Sequence, residues 1–132
     1  MTFREKSTAA QFAAILLVYG CVAIHYWGQP LTGSKPIVIL IGITIWMILI
    51  IVPAHIAFAV QRRPENPDER DTLVNVRGTR NGYAALGLGF WCILMMIVIK
   101  TSYGLLFGAA LAVGALAELV RLGSQLYYYR FG

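Results

Sequence analysis

The apolar positions of this chain fall into four long blocks, over residues 9–28, 37–60, 83–99 and 103–123. Each is long enough, at about 1.5 Å per helical residue, to cross a hydrocarbon layer of about 30 Å. The interruptions between them are very unequal. Residues 29–36 form a short turn punctuated by Pro30, Gly33 and Pro36, and Lys100-Thr101-Ser102 makes a still tighter one. Residues 61–82 are the one long polar stretch. The pattern predicts an all-α polytopic membrane protein with four transmembrane helices in a single domain.

The first block has a charged start, but Tyr26-Trp27-Gly28-Gln29-Pro30 is a poor small-residue cleavage site, so an uncleaved helix is expected. Within the second block Pro53 removes one backbone hydrogen bond and should bend the last turns. In the polar stretch, Asn66-Pro67-Asp68-Glu69 reads as a helix start, with Asn as N-cap, Pro at N1 and Glu at N3. A helix begun there can run through Val74 and Arg77 straight into the third span, with Gly78 and Gly82 as the weak points of its continuity. The fourth block is rich in small residues. Gly104, Gly108, Ala110 and Gly114 make it suited to close helix packing, within the chain or between copies. Tyr127, Tyr128, Tyr129 and Arg130 follow as an aromatic anchor ending in a positive charge.

Composition strengthens this reading. Hydrophobic residues make up 58% and charged residues only 13% of 132 positions, too little polar surface for a soluble domain of this size. The net charge of +5 is not spread as a nucleic-acid face would be, and no nucleic-acid partner is expected. With four spans, Arg4, Lys6, Arg62, Arg63, Arg70, Arg77, Arg80, Arg121 and Arg130 share one side, against Lys35 and Lys100 on the other. Nine against two is a strong positive-inside signal, placing both termini and the polar stretch in the cytoplasm. The expected location is a bacterial cytoplasmic (inner) membrane.

Candidate chemistry is sparse. Glu118 lies about 22 Å down the fourth span, with Arg121 and Gln125 on the same stripe and Asn81, Arg77 and Arg80 offered from the third. Asn81, Glu118, Arg121 and Gln125 therefore form a candidate intramembrane polar network, either pinning two helices together or serving as an ion site. Asp68, Glu69, Arg70, Asp71, Arg77 and Arg80 are candidate contacts for lipid headgroups or a cytoplasmic partner. In that helix Arg70, Val74, Arg77 and Asn81 share one face while Leu73, Val76 and Arg80 share another. It thus has an apolar side to lie down and a polar side to present.

His25 and His55 differ in depth by roughly 20 Å, so they cannot share a metal or haem, and each is expected to hydrogen-bond a neighbouring helix. Cys21 and Cys92 read as small buried hydrophobes. Ser7, Ser34, Ser102 and Ser124 show no base at matched depth, and no phosphate loop, zinc spacing or H-E-x-x-H motif occurs. Neither enzyme activity, metal nor cofactor is expected.

The run Asp68-Glu69-Arg70-Asp71, then Arg77, then Arg80-x-x-Tyr83 leading into a span, resembles the small bacterial inner-membrane proteins grouped as a DUF2178-like family of unknown function. The likeness covers the polar stretch and the last two spans. It implies no chemistry; such proteins look like companions of small cytoplasmic regulators. Two functions remain open: a membrane adaptor, sequestering factor or accessory subunit that presents a charged cytoplasmic helix, or an oligomeric small transporter or channel subunit with Glu118 in its polar site.

Overall fold

A computed structural model describes residues 3–61 and 69–132. Among these residues every regular element is a helix: α1 (Phe3–Tyr26), α2 (Lys35–Gln61), α3 (Glu69–Val98) and α4 (Tyr103–Phe131). All four are long and apolar enough to cross a membrane. The protein is a multi-pass, all-α membrane protein. The helix start expected at Asn66-Pro67-Asp68 lies outside the described residues, as do Arg62 and Arg63.

The turns explain why the helices alternate. After α1, Gly28 and Gly33 adopt φ values of 72° and 65°, which only glycine takes without strain. The Gln29 amide Nε2 donates to the His25 carbonyl at 2.7 Å, serving a carbonyl that the helix end leaves open. After α3 the chain reverses in a Schellman motif: Lys100 N donates to Ile97 O and Thr101 N to Met96 O, both at 3.0 Å. Its left-handed position, φ 57°, is held by Lys100 rather than glycine. We call the end with these two reversals the turn end and the opposite one the charged end.

Packing is sequential only in part. α1 lies against α2 and α4, and α3 packs most extensively on α4. No comparable packing joins α2 to α3 among the described residues. The helices therefore line up in the order α2, α1, α4, α3, an open arc instead of a closed ring. Two buried clusters hold it: Ile15, Ala115 and Leu122 between α1 and α4, and Val18, Ile39 and Ile43 between α1 and α2. Trp46, Leu49, Leu88 and Trp91 point outward, which a hydrocarbon solvent permits without cost. The same argument corrects the expectation for Cys21 and Cys92. Both are exposed on helix surfaces, because lipid replaces the protein core as their apolar surroundings.

All four helices are longer than the bilayer core, α3 and α4 by the most. The 30 residues of α3 span about 45 Å and the 29 of α4 about 43 Å, against a core of about 30 Å. Since Val98 and Tyr103 flank the tight reversal, both surpluses fall at the charged end. α3 and α4 thus project together by roughly 13–15 Å as a two-helix stalk. The tyrosine run forms the last turns of α4 in this stalk. α2 continues as one helix through Pro53.

Candidate functional site

The packing of α3 on α4 depends on glycine. A Cβ on Gly78 would collide with the Gln125 side chain and lie 2.9 Å from the Arg121 carbonyl oxygen. One on Gly82 would lie 2.8 Å from Arg121 Cβ and 3.2 Å from the Ala117 carbonyl oxygen, and one on Gly89 would run into Val113. The glycines read as weak points of the helix are therefore where α3 and α4 approach most closely. The small residues expected to pack tightly behave differently. Gly108 and Gly114 have nothing within 4 Å of a built Cβ, Gly104 meets only the Leu31 turn, and Ala110 is exposed. Close approach is possible only where both surfaces are flat, and the flat surface opposite α4 is on α3.

At this separation short polar side chains reach across. Asn81 Nδ2 donates to Ser124 Oγ at 3.0 Å, and Gln125 Nε2 donates to Asn75 Oδ1 at 3.0 Å with Gln125 itself buried. Glu118 and Arg121 do not join them. They form their own i,i+3 pair, with Arg121 Nη2 2.6 Å and Nε 2.8 Å from Glu118 Oε2; Arg121 starts from the α3–α4 seam and Glu118 is exposed on α4. The four residues expected as one network are thus divided among three separate pairs, and neither Arg77 nor Arg80 bonds to Glu118. At this height amides and a hydroxyl link α3 to α4.

Asp71 is the junction of the charged end. Its carboxylate lies 3.5 Å from Arg4 Nε of α1 and also accepts from the Tyr129 hydroxyl of α4. The adjacent Arg70 donates from Nη2 to the Tyr129 carbonyl at 2.8 Å and the Gly132 carbonyl at 3.3 Å. A guanidinium there satisfies terminal carbonyls and meets the negative end of the helix dipole. Arg77 stacks over the Tyr128 ring at 5.5 Å. The face carrying Arg70, Val74, Arg77 and Asn81 is therefore turned onto α4. This corrects the expectation that it would be the side presented, and the cause is the access given by Gly78 and Gly82. Leu73, Val76, Arg80 and Tyr83 are left exposed, as is Glu69 at the head of α3. Asp68 lies outside the described residues.

A second polar cluster joins α1 to α2. His55 Nδ1 lies 2.9 Å from the Ile51 carbonyl, which can only accept, so this nitrogen carries the proton. Nε2 is then the acceptor for Ser7 Oγ at 2.9 Å and for Gln11 Nε2 at 3.3 Å. Sequence reasoning found no serine and base at matched depth, whereas packing brings Ser7 and His55 together. The signal was weak: residues 48 apart, linked only by α1 and α2 being antiparallel. Because Gln11 shares the same lone pair, the cluster fastens two helices. His25 has no such partner; its ring makes an edge contact with Tyr26 at 4.8 Å. The expectation that it bonds a neighbouring helix fails because His25 lies on the exposed surface of α1. No cluster of three or more metal-ligating side chains occurs among the described residues.

At the turn end α1 and α4 diverge and leave a cavity of about 970 Å³. Aromatic Tyr19, Tyr26 and Trp27 line one side, and Gly104, Gly108, Ala109, Ala112 and Ala115 line the other.

No protein-family model matches this chain, and no curated protein or solved structure does either.

Proposed function

We propose that the chain is a non-enzymatic accessory module of a bacterial inner membrane, which holds a cytoplasmic protein against the exposed face of the α3 stalk. One observation carries this reading. Counting about 20 residues of bilayer core back from Val98 puts the membrane boundary near Thr79. Leu73 and Val76 lie beyond it, at 56% and 58% exposure, on the same helical face as Arg80. Aliphatic residues at i and i+3 followed by an arginine form the anchor pattern of a helix that docks into a groove. The charged neighbours Arg70, Asp71 and Arg77 hold the stalk rigid and so preorganise that face.

A photo-crosslinker placed at Val76 in native membranes should give one discrete adduct with a soluble protein. Arg80→Ala should abolish it, and the same label at Leu88, on the lipid-facing surface, should give none. Equal adducts at both positions, or an adduct at Val76 untouched by Arg80→Ala, would refute the reading.

A second reading rests on Ala110, Gly114 and Glu118, which share one stripe of α4 with open space at Gly114. A carboxylate facing outward about 22 Å down a span is better covered by another copy of the chain than by lipid. That is the arrangement an oligomeric transporter or channel subunit would need. A strictly monomeric particle in nanodiscs would exclude it.

A further inference from the structure

The cavity at the turn end takes no part in the stalk or its docking face. Its lining on α4 runs from Gly104 to Leu116, about 18 Å along the helix axis, close to the roughly 15 Å of hydrocarbon in one leaflet. The lining is mostly apolar, with Leu31, Leu105 and Leu111 among its residues, and its polar side chains are the phenols Tyr19 and Tyr26, the indole Trp27, Gln29 and Ser102. The volume lies at the upper end of the roughly 300–1,000 Å³ of small-molecule sites.

Two lysines lie in the reversals beside the rim. Lys35 Nζ sits 3.3 Å from the carbonyl of Pro30, a lining residue, and Lys100 lies in the reversal that supplies Ser102. No acidic residue occurs between Lys6 and Pro64 or between Thr72 and Ala117, so the turn end carries no carboxylate to neutralise either lysine. Lys100 occupies a left-handed position where glycine would be relaxed. Its charge lies at the C-terminal end of the α3 dipole, at the turn end.

We propose that this cavity binds an anionic phospholipid, with one acyl chain lying along α4 between Tyr26 and Gly108 and the phosphate at Lys35 and Lys100. A mostly apolar slot one leaflet deep with lysines in the two reversals beside it matches an anionic amphiphile. The occupant is a single lipid held within the fold, distinct from the shell that surrounds any membrane helix.

The test is native mass spectrometry of the intact chain after reconstitution in an equal mixture of phosphatidylglycerol and phosphatidylcholine. One phosphatidylglycerol per chain should survive delipidation, with a preference of about fivefold for each lysine engaged. Lys35→Gln with Lys100→Gln should bring the preference close to unity while a lipid is still retained. Gly108→Leu should abolish retention of either lipid, since the new side chain enters open space and leaves the helix backbone undisturbed. Unchanged helicity and monodispersity of each variant would separate lost binding from lost folding. Equal retention of both lipids by the unmodified chain would overturn the proposal, as would undiminished retention in Gly108→Leu. A homodimer that Gly108→Leu dissolves would place a neighbouring helix in the cavity and overturn it as well.

Discussion

Replacing Gly82 by Ala tests whether the α3–α4 stalk is set by backbone approach. Two terms oppose each other. Alanine favours the helix by about 1 kcal/mol over glycine. Against this, the new methyl would lie 2.8 Å from Arg121 Cβ and 3.2 Å from the Ala117 carbonyl oxygen, neither of which is the free end of a flexible side chain. Relief requires the helices to separate, and overpacking of this kind costs about 1–3 kcal/mol. Gly87 supplies the control, because it lies on the same helix with nothing within 4 Å of a built Cβ. Gly87→Ala should therefore stabilise the protein or leave it unchanged. Gly82→Ala should be less stable than Gly87→Ala by about 1–3 kcal/mol, the propensity term cancelling between them. Reversible unfolding in mixed micelles measures the difference. A spin-label pair across the stalk, on α3 and α4 away from the seam, should show widening in the Gly82 variant alone. Equal stabilities for the two alanine variants would refute the argument that this glycine sets the separation.

Three further outcomes follow from the geometry. A double-mutant cycle on Asn75 and Gln125 should give a coupling of about 0.5–1.5 kcal/mol, the net worth of an intramolecular hydrogen bond; zero coupling would mean that the 3.0 Å contact does not form in the folded protein. Arg70→Ala should leave overall stability nearly unchanged but raise hydrogen exchange in the last turn of α4, where the guanidinium serves the Tyr129 and Gly132 carbonyls. His55→Phe should destabilise the α1–α2 pair by about 1–3 kcal/mol because Ser7, which is buried, loses its partner; double replacement with Ser7→Ala should recover part of that loss.

The number of helices and their alternation were legible in the apolar blocks, because a span must bury about 20 residues of backbone in hydrocarbon whatever its neighbours are. The continuity of α3 from the polar stretch into the third span was legible for a similar local reason. What the individual polar residues do was not. Arg70 and Asp71 look the same in sequence whether they face water or another helix. They are drawn inward because α4 runs eight residues beyond its expected end at Gly123 and brings Tyr128, Tyr129 and Gly132 beside them.

The glycines show the division most clearly. Along one helix Gly78 and Gly82 are breaks in propensity; between two helices they are the surface on which α4 rests. Local sequence determined where this chain enters and leaves the membrane, since that depends on short stretches meeting one solvent or another. Tertiary structure alone decided which side chains meet. The open arc of helices, the Ser7–His55 contact and the cavity between α1 and α4 depend on distances between residues tens of positions apart.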